Sequence, residues 1–248
     1  MIERAAGLKA RYVNRVEKKF MDMKVGLFEK PRELNVKLGE GAYRDVYRYN
    51  EFAVKKSKPH VIRKILFVRI RVPSSLYTLL RFAIWDLNDY EYKQYRSIIS
   101  KTPADLHQCF AKVYEPIKDG KTRYSINQLV TDDDGQVSKT LFEYGGINDK
   151  QFWNMVDDLE KLFLDKKIYY LSIGPHNVCV NQQADGRLIP VLVDYKRIGV
   201  RTFWHQLLLY IPYFIRLKMR RRFQRMRQHV RAGRVPDIIE SSSLQVVD

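Results

Sequence analysis

The chain has 248 residues, with 45 Lys or Arg against 28 Asp or Glu and a formal net charge of +17. That length suffices for one two-lobed domain and is too short for two large ones. Two distant cysteines, Cys109 and Cys179, exclude a disulfide framework and a zinc site, and the absence of an apolar leader or of a bilayer-length apolar run points to a cytoplasmic protein, free or peripheral at the inner face of a membrane.

Residues 1–30 read as a basic helical extension, with Leu8, Tyr12, Val16 and Phe20 at four-residue spacing. Strands are predicted over Leu34–Leu38, Asp45–Tyr49 and Phe52–Lys55, separated by a glycine turn and by Asn50-Glu51. Residues 59–82 mix cations with apolar side chains and are interrupted at Pro73-Ser74-Ser75. Asp86–Ile99 reads as helix, and Ala111–Tyr114 and Arg123–Val130 as strands joined by a turn at 118–121. The stripe Phe152, Met155, Val156, Leu159, Leu162 and Phe163 predicts a helix from about Lys150 to Lys166, capped by Asn148 or Asp149. Short strands over Val178–Asn181 and Val191–Asp194 flank the Asp185-Gly186 turn. From Arg201 to Arg231 the pattern is helical and basic, and 237–248 reads as a frayed tail. A sheet-rich first half before a helix-rich second half implies an α+β, two-lobed arrangement.

The positive charge is clustered. Between Glu51 and Asp86 stand eight Lys or Arg and no acid; between Asp194 and Asp237 stand twelve, again with no acid. Such blocks attract an anionic lipid surface, a phosphorylated glycan or nucleic acid. Charge without any recognition motif argues against nucleic acid. Phe203–Met226 has two readings: an interfacial helix with aromatics at headgroup depth, or a core helix with a solvated basic end.

Chemistry enters at Leu38-Gly39-Glu40-Gly41-Ala42-Tyr43-Arg44. Two glycines, Gly39 and Gly41, let backbone N–H groups approach a phosphate, although a plain hairpin turn explains them as well. Fourteen residues after Gly41 stands Lys55, in Phe52-Ala53-Val54-Lys55, which resembles the kinase strand whose lysine pairs the α- and β-phosphates. Arg44 stands where the third glycine of G-x-G-x-x-G would be and is positioned to meet a phosphate itself. Lys55 needs an acidic partner: Glu91, with Asp89 as the alternative, or else Glu91 is a plain surface acid.

Leu171-Ser172-Ile173-Gly174-Pro175-His176-Asn177-Val178 resembles the kinase catalytic loop, with Pro175 and Asn177 in register. Seventeen residues past Asn177, Val191-Leu192-Val193-Asp194 is an apolar strand ending where the metal-binding Asp of D-F-G belongs. Asn177 and Asp194 would hold Mg²⁺ beside ATP. Ser172 occupies the catalytic-base position, and a serine cannot accept a proton as a carboxylate does.

Several stretches are similar to the bacterial YrbL family, the PhoP regulatory network proteins, which are kinase-like: Leu38–Gly41, Glu91–Tyr95, Asp132–Gln136, and Leu171–Cys179 followed by Ile189–Asp194. The resemblance implies a protein-kinase-like fold, with an N-lobe over 31–130 carrying the insertion 59–82 and a C-lobe over 131–236. It also implies that Ser172 is a family trait. A weaker resemblance is to lipopolysaccharide core sugar kinases. The expectation is an ATP- and Mg²⁺-binding phosphotransferase of atypical mechanism near an anionic surface. The alternative is a pseudokinase acting as a nucleotide-binding interaction module. The catalytic set is Lys55, Ser172, Asn177 and Asp194; Gly39, Gly41, Arg44, Lys55 and Glu91 complete the nucleotide site.

Overall fold

A computed structural model describes residues 36–40, 44–65, 68–73, 86–119, 122–169, 171–196 and 211–231. The extension 1–30, Gly41, the stretch 74–85, residues 201–210 and the tail 237–248 lie outside them.

The fold is mixed α+β. Strands β1 (Val36–Glu40), β2 (Arg44–Tyr49) and β3 (Phe52–Ser57) form an antiparallel meander. It is extended by β7 (Thr122–Gln128) and β6 (Ile117–Asp119) into a five-stranded sheet of order β1-β2-β3-β7-β6. Asn50 takes φ +52° in the β2–β3 turn, a conformation asparagine tolerates. Period-two alternation gives this sheet two chemistries. Phe52 and Val54 of β3 join Tyr124 and Ile126 of β7 in a small apolar core with Tyr114 and Ile117. Lys55 pairs with Ser125 across the strands, so Lys55, Ser125 and Asn127 share the other face.

That polar face is covered by helix α1 (Leu87–Ile99), capped by Asp86, which accepts the Asn88 N–H. Asn88 and Glu91, three apart and on one side of the helix, are both fully buried. The larger core packs α3 (Lys150–Asp165) against the hairpin of β8 (Val178–Gln182) and β9 (Leu188–Leu192) and against α4 (Pro212–Arg231). Asp149 caps α3 by accepting the N–H groups of Gln151 and Phe152. Five of the six predicted stripe residues are buried, and Met155 is half-buried. Phe163 meets Phe223 of α4 edge-on at 6.0 Å. Cys109 and Cys179 are both free and buried in this core.

Three segments differ from the sequence reading. Ala111–Tyr114 is not a strand. Its N–H groups divide between two partners, Ala111 donating to Leu192 O and Tyr114 to Ile126 O, so no continuous ladder forms. The strand that pairs with β7 is Ile117–Asp119 instead. Within 59–82, β4 (His60–Ile65) and β5 (Val68–Pro73) form a separate hairpin, a pattern visible in the alternation Val68-Arg69-Ile70-Arg71-Val72. A short helix α2 (Leu141–Tyr144) is nucleated by a capping box between Thr140 and Glu143. The described part of the basic C-terminal helix begins at Pro212, whose missing N–H is harmless in a first turn.

Candidate functional site

Strand β3, helix α1 and the segment after β9 bring Lys55, Glu91 and Asp194 together. Lys55 Nζ lies 2.5 Å from Glu91 Oε1 and donates to Val193 O at 2.9 Å. Asp89, the alternative partner, is half-exposed and lies 3.7 Å from Arg123. Glu91 has a second cation: the Arg44 guanidinium bonds its Oε2 and also donates to Asn88 Oδ1 at 3.2 Å. Ser125 Oγ, Asn127 Nδ2 and the Tyr195 N–H complete the shell of Glu91 at 3.3, 3.5 and 3.4 Å. Arg44, expected at a phosphate, is thus first a structural counter-ion.

The loop after Leu171 is stitched to the segment after β9. Asn177 Nδ2 donates to Ser172 O at 2.6 Å, Val193 N–H to Asn177 O at 3.0 Å, and Ser172 N–H to Lys196 O at 3.1 Å. Asn177 and Asp194 therefore stand on two segments that are hydrogen-bonded to each other. Lys196 Nζ lies 2.5 Å from Asp194 Oδ2, the Lys196 N–H donates to Oδ1 at 3.1 Å, and Arg44 Nη2 stands 3.6 Å from Oδ1. Tyr195 between them is fully buried, its hydroxyl donating toward Ala111 O and Leu192 O. Ser172 Oγ accepts from Arg222 of α4 at 3.2 Å, and the same guanidinium nitrogen donates to Ile173 O at 3.0 Å.

These groups surround a cleft of about 700 Å³. One group of lining residues is polar, Arg44, Lys55, Asn177, Asp194 and Lys196; Lys139 and Glu143 add a further pair of opposite charges, and Val46, Ala53 and Leu129 supply apolar surface. Glu91 stands behind Lys55, and Ser172 is turned to Arg222, so neither lines the cleft. Gly39 lies in β1 at a bulge, while Gly41 is outside the described residues. The family model described as PhoP regulatory network protein YrbL matches residues 90–231. The chain belongs to the YrbL family. No curated protein matches it. The matched segment opens one residue before Glu91 and closes at the end of α4, so it takes in Ser172, Asn177, Asp194 and Arg222. Arg44 and Lys55 lie ahead of it. The YrbL match thus spans only one side of the Lys55–Glu91 pair.

The sequence reading missed Lys196 and Arg222 as site residues. Lys196 was legible only as an oddity, a cation at the glycine position of D-F-G. Arg222 meets Ser172 across fifty residues of chain, and nothing in one sequence registers such a pairing.

Burial alone would raise both site carboxyls. Arg44 and Lys55 outweigh it at Glu91, and Lys196, Lys55 and Arg44 outweigh it at Asp194, so both are held below the usual carboxylate range. Such a group stabilises the fold fully above its unfolded pKa and loses that contribution as pH falls through the folded one. The melting temperature is expected to hold down to about pH 5 and to fall steadily below about pH 4. Thermal unfolding across that range checks this; a flat profile down to about pH 2 contradicts it.

Proposed function

We propose that the chain is a kinase-like nucleotide-binding protein of two lobes, 31–130 and 131–236, with ATP as its ligand. The observation that carries the reading is the buried Lys55–Glu91 pair, whose lysine lines a cleft together with Asn177 and Asp194. A base fits the apolar wall, and phosphates fit the cationic end. Among the described residues, a Cβ at Gly39 would meet no atom within 4 Å.

Between the two activities, one contact favours a nucleotide-binding regulatory module over an atypical phosphotransferase. The base position holds a hydroxyl that accepts from an arginine, and a guanidinium beside it makes proton acceptance harder. Calorimetry of ATP binding tests the reading, with γ-phosphate loss followed in the same samples. No heat of binding at millimolar ATP sinks the proposal; binding accompanied by transfer to an added acceptor restores the phosphotransferase.

The exposed face of α4 supports contact with an anionic lipid surface. Ile215, Met219, Phe223 and Met226 are buried, while Tyr213, Phe214, Arg216, Arg220, Arg221 and Arg225 face outward. Among the described residues no helix is long and apolar enough to cross a membrane. Each cation near an anionic leaflet contributes about 1 kcal/mol. Changing Arg216, Arg220, Arg221 and Arg225 to Ser is expected to weaken binding to anionic vesicles, read by co-sedimentation, by on the order of a thousandfold. Arg222 and Arg227 are kept because they hold Ser172 and the α3 acids Asp157 and Glu160. Equal pelleting with neutral vesicles, or no loss in the variant, points instead to a phosphorylated glycan or an acidic protein.

A further inference from the structure

We infer that the cleft takes the polyphosphate of its nucleotide without a divalent cation, Lys196 and Arg44 supplying the positive charge; this rests on the nucleotide-binding reading above. The decisive geometry is at Asp194. Oδ2 is engaged by Lys196 Nζ at 2.5 Å, and Oδ1 by the Lys196 N–H at 3.1 Å with Arg44 Nη2 at 3.6 Å. A hard cation such as Mg²⁺ needs a carboxylate oxygen together with phosphate oxygens. Seating one here requires expelling the Lys196 ammonium and setting two further positive charges beside Arg44 and Lys55. The donor set, as it stands, does not fit the metal expected from Asn177 and Asp194.

The charge balance leads the same way. Among the described residues, Arg44, Lys55 and Lys196 are held by two carboxylates, Glu91 and Asp194, Lys139 and Glu143 of the cleft lining offset one another, and Ser172 removes the acid that the catalytic position would add. The phosphate end is therefore net positive before any ligand arrives. Metal ions in nucleotide sites neutralise charge on the phosphates, and side-chain cations already supply positive charge here. Lys196 is also accessible enough for the task. Its side chain is 31 % exposed, against 7 % for Arg44, and an ammonium has three N–H donors, so it can bond a phosphate oxygen while it stays on Asp194 Oδ2. Attraction between fixed cations and phosphate is charge-assisted but screened, so affinity should fall with added salt.

The experiment is calorimetric titration of the full chain with ATP, in EDTA and in excess MgCl₂, for wild type, K196G and K196A. Wild type is expected to bind ATP in EDTA at least as tightly as in Mg²⁺. K196G and K196A are expected to lose roughly tenfold in EDTA, about the worth of one charge-assisted hydrogen bond, and to regain affinity when Mg²⁺ is added. Wild-type binding only in Mg²⁺ overturns the inference and leaves the nucleotide reading standing. Unchanged affinity of both variants in EDTA also overturns it. No binding in either buffer removes the nucleotide reading and the inference with it.

Discussion

Replacing Glu91 with alanine is expected to destabilise the protein by roughly 3–5 kcal/mol, the usual consequence of leaving a buried charge without its partner. Two cations depend on this one carboxylate. Arg44 and Lys55 are 7 % and 8 % exposed, and both end on Glu91 from different strands. Without it, among the described residues, Arg44 keeps Asp194 at 3.6 Å and Lys55 keeps the Val193 carbonyl, while Ser125, Asn127 and the Tyr195 N–H lose an acceptor as well. For a chain of this length the melting temperature should drop by roughly 10 °C. E91Q keeps the shape and removes the charge, so it should fall nearly as far. Denaturant unfolding at neutral pH measures both. A loss under about 1 kcal/mol in each would mean that the two cations find other anions and that Glu91 does not anchor α1.

Lys55→Met is expected to behave in the opposite way: a folded protein that has lost its ligand. Arg44 continues to neutralise Glu91 when Lys55 is gone, and methionine fills most of the volume of the lysine stem. Burial also works against the Lys55 ammonium, lowering its pKa despite the Glu91 charge, so removing that ammonium relieves a desolvation penalty. Stability should change by no more than about 1.5 kcal/mol. Nucleotide affinity should fall by roughly ten- to a hundredfold, the worth of a charge-assisted contact to phosphate. Denaturant unfolding and ATP calorimetry on the same preparation read the two effects separately. An unfolded K55M protein would show that Arg44 does not suffice as counter-ion. An unaltered affinity would place the phosphates elsewhere.

The contrast between these two variants was not legible in the sequence. The pairing of Lys55 with Glu91 was, because a lysine on a third strand and an acid on the next helix are local patterns with a known spatial outcome. That Arg44 shares Glu91 was not, since strand register decides which β2 side chain reaches α1. Helix α3 and the β8–β9 hairpin were readable from periodicity and the Asp185-Gly186 turn, both properties of contiguous residues. Ala111–Tyr114 misled because its composition suits a strand, yet its hydrogen bonds split between β7 and the end of β9, which no local signal reports. The contact between Arg222 and Ser172 depends on how α4 docks, a tertiary outcome set by Ile215, Met219, Phe223 and Met226 rather than by the arginine.

The two buried cysteines give the protein an internal clock. Burial, reinforced by nearby acids, pushes both thiols up to about 12. At pH 8 only on the order of one thiol in 10⁴ is then ionised in the native state, so a disulfide reagent reacts slowly with both. Cys109 is wholly buried in the larger core and is labelled only when that core opens, whereas Cys179, on β8, lines the cleft and is reached through it. Labelling half-lives at the two positions therefore report two different events in one molecule, core opening and access to the cleft. A ligand seated in the cleft should lengthen the half-life of Cys179 by more than it lengthens that of Cys109, and the ratio of the two rates detects occupancy without any engineered probe.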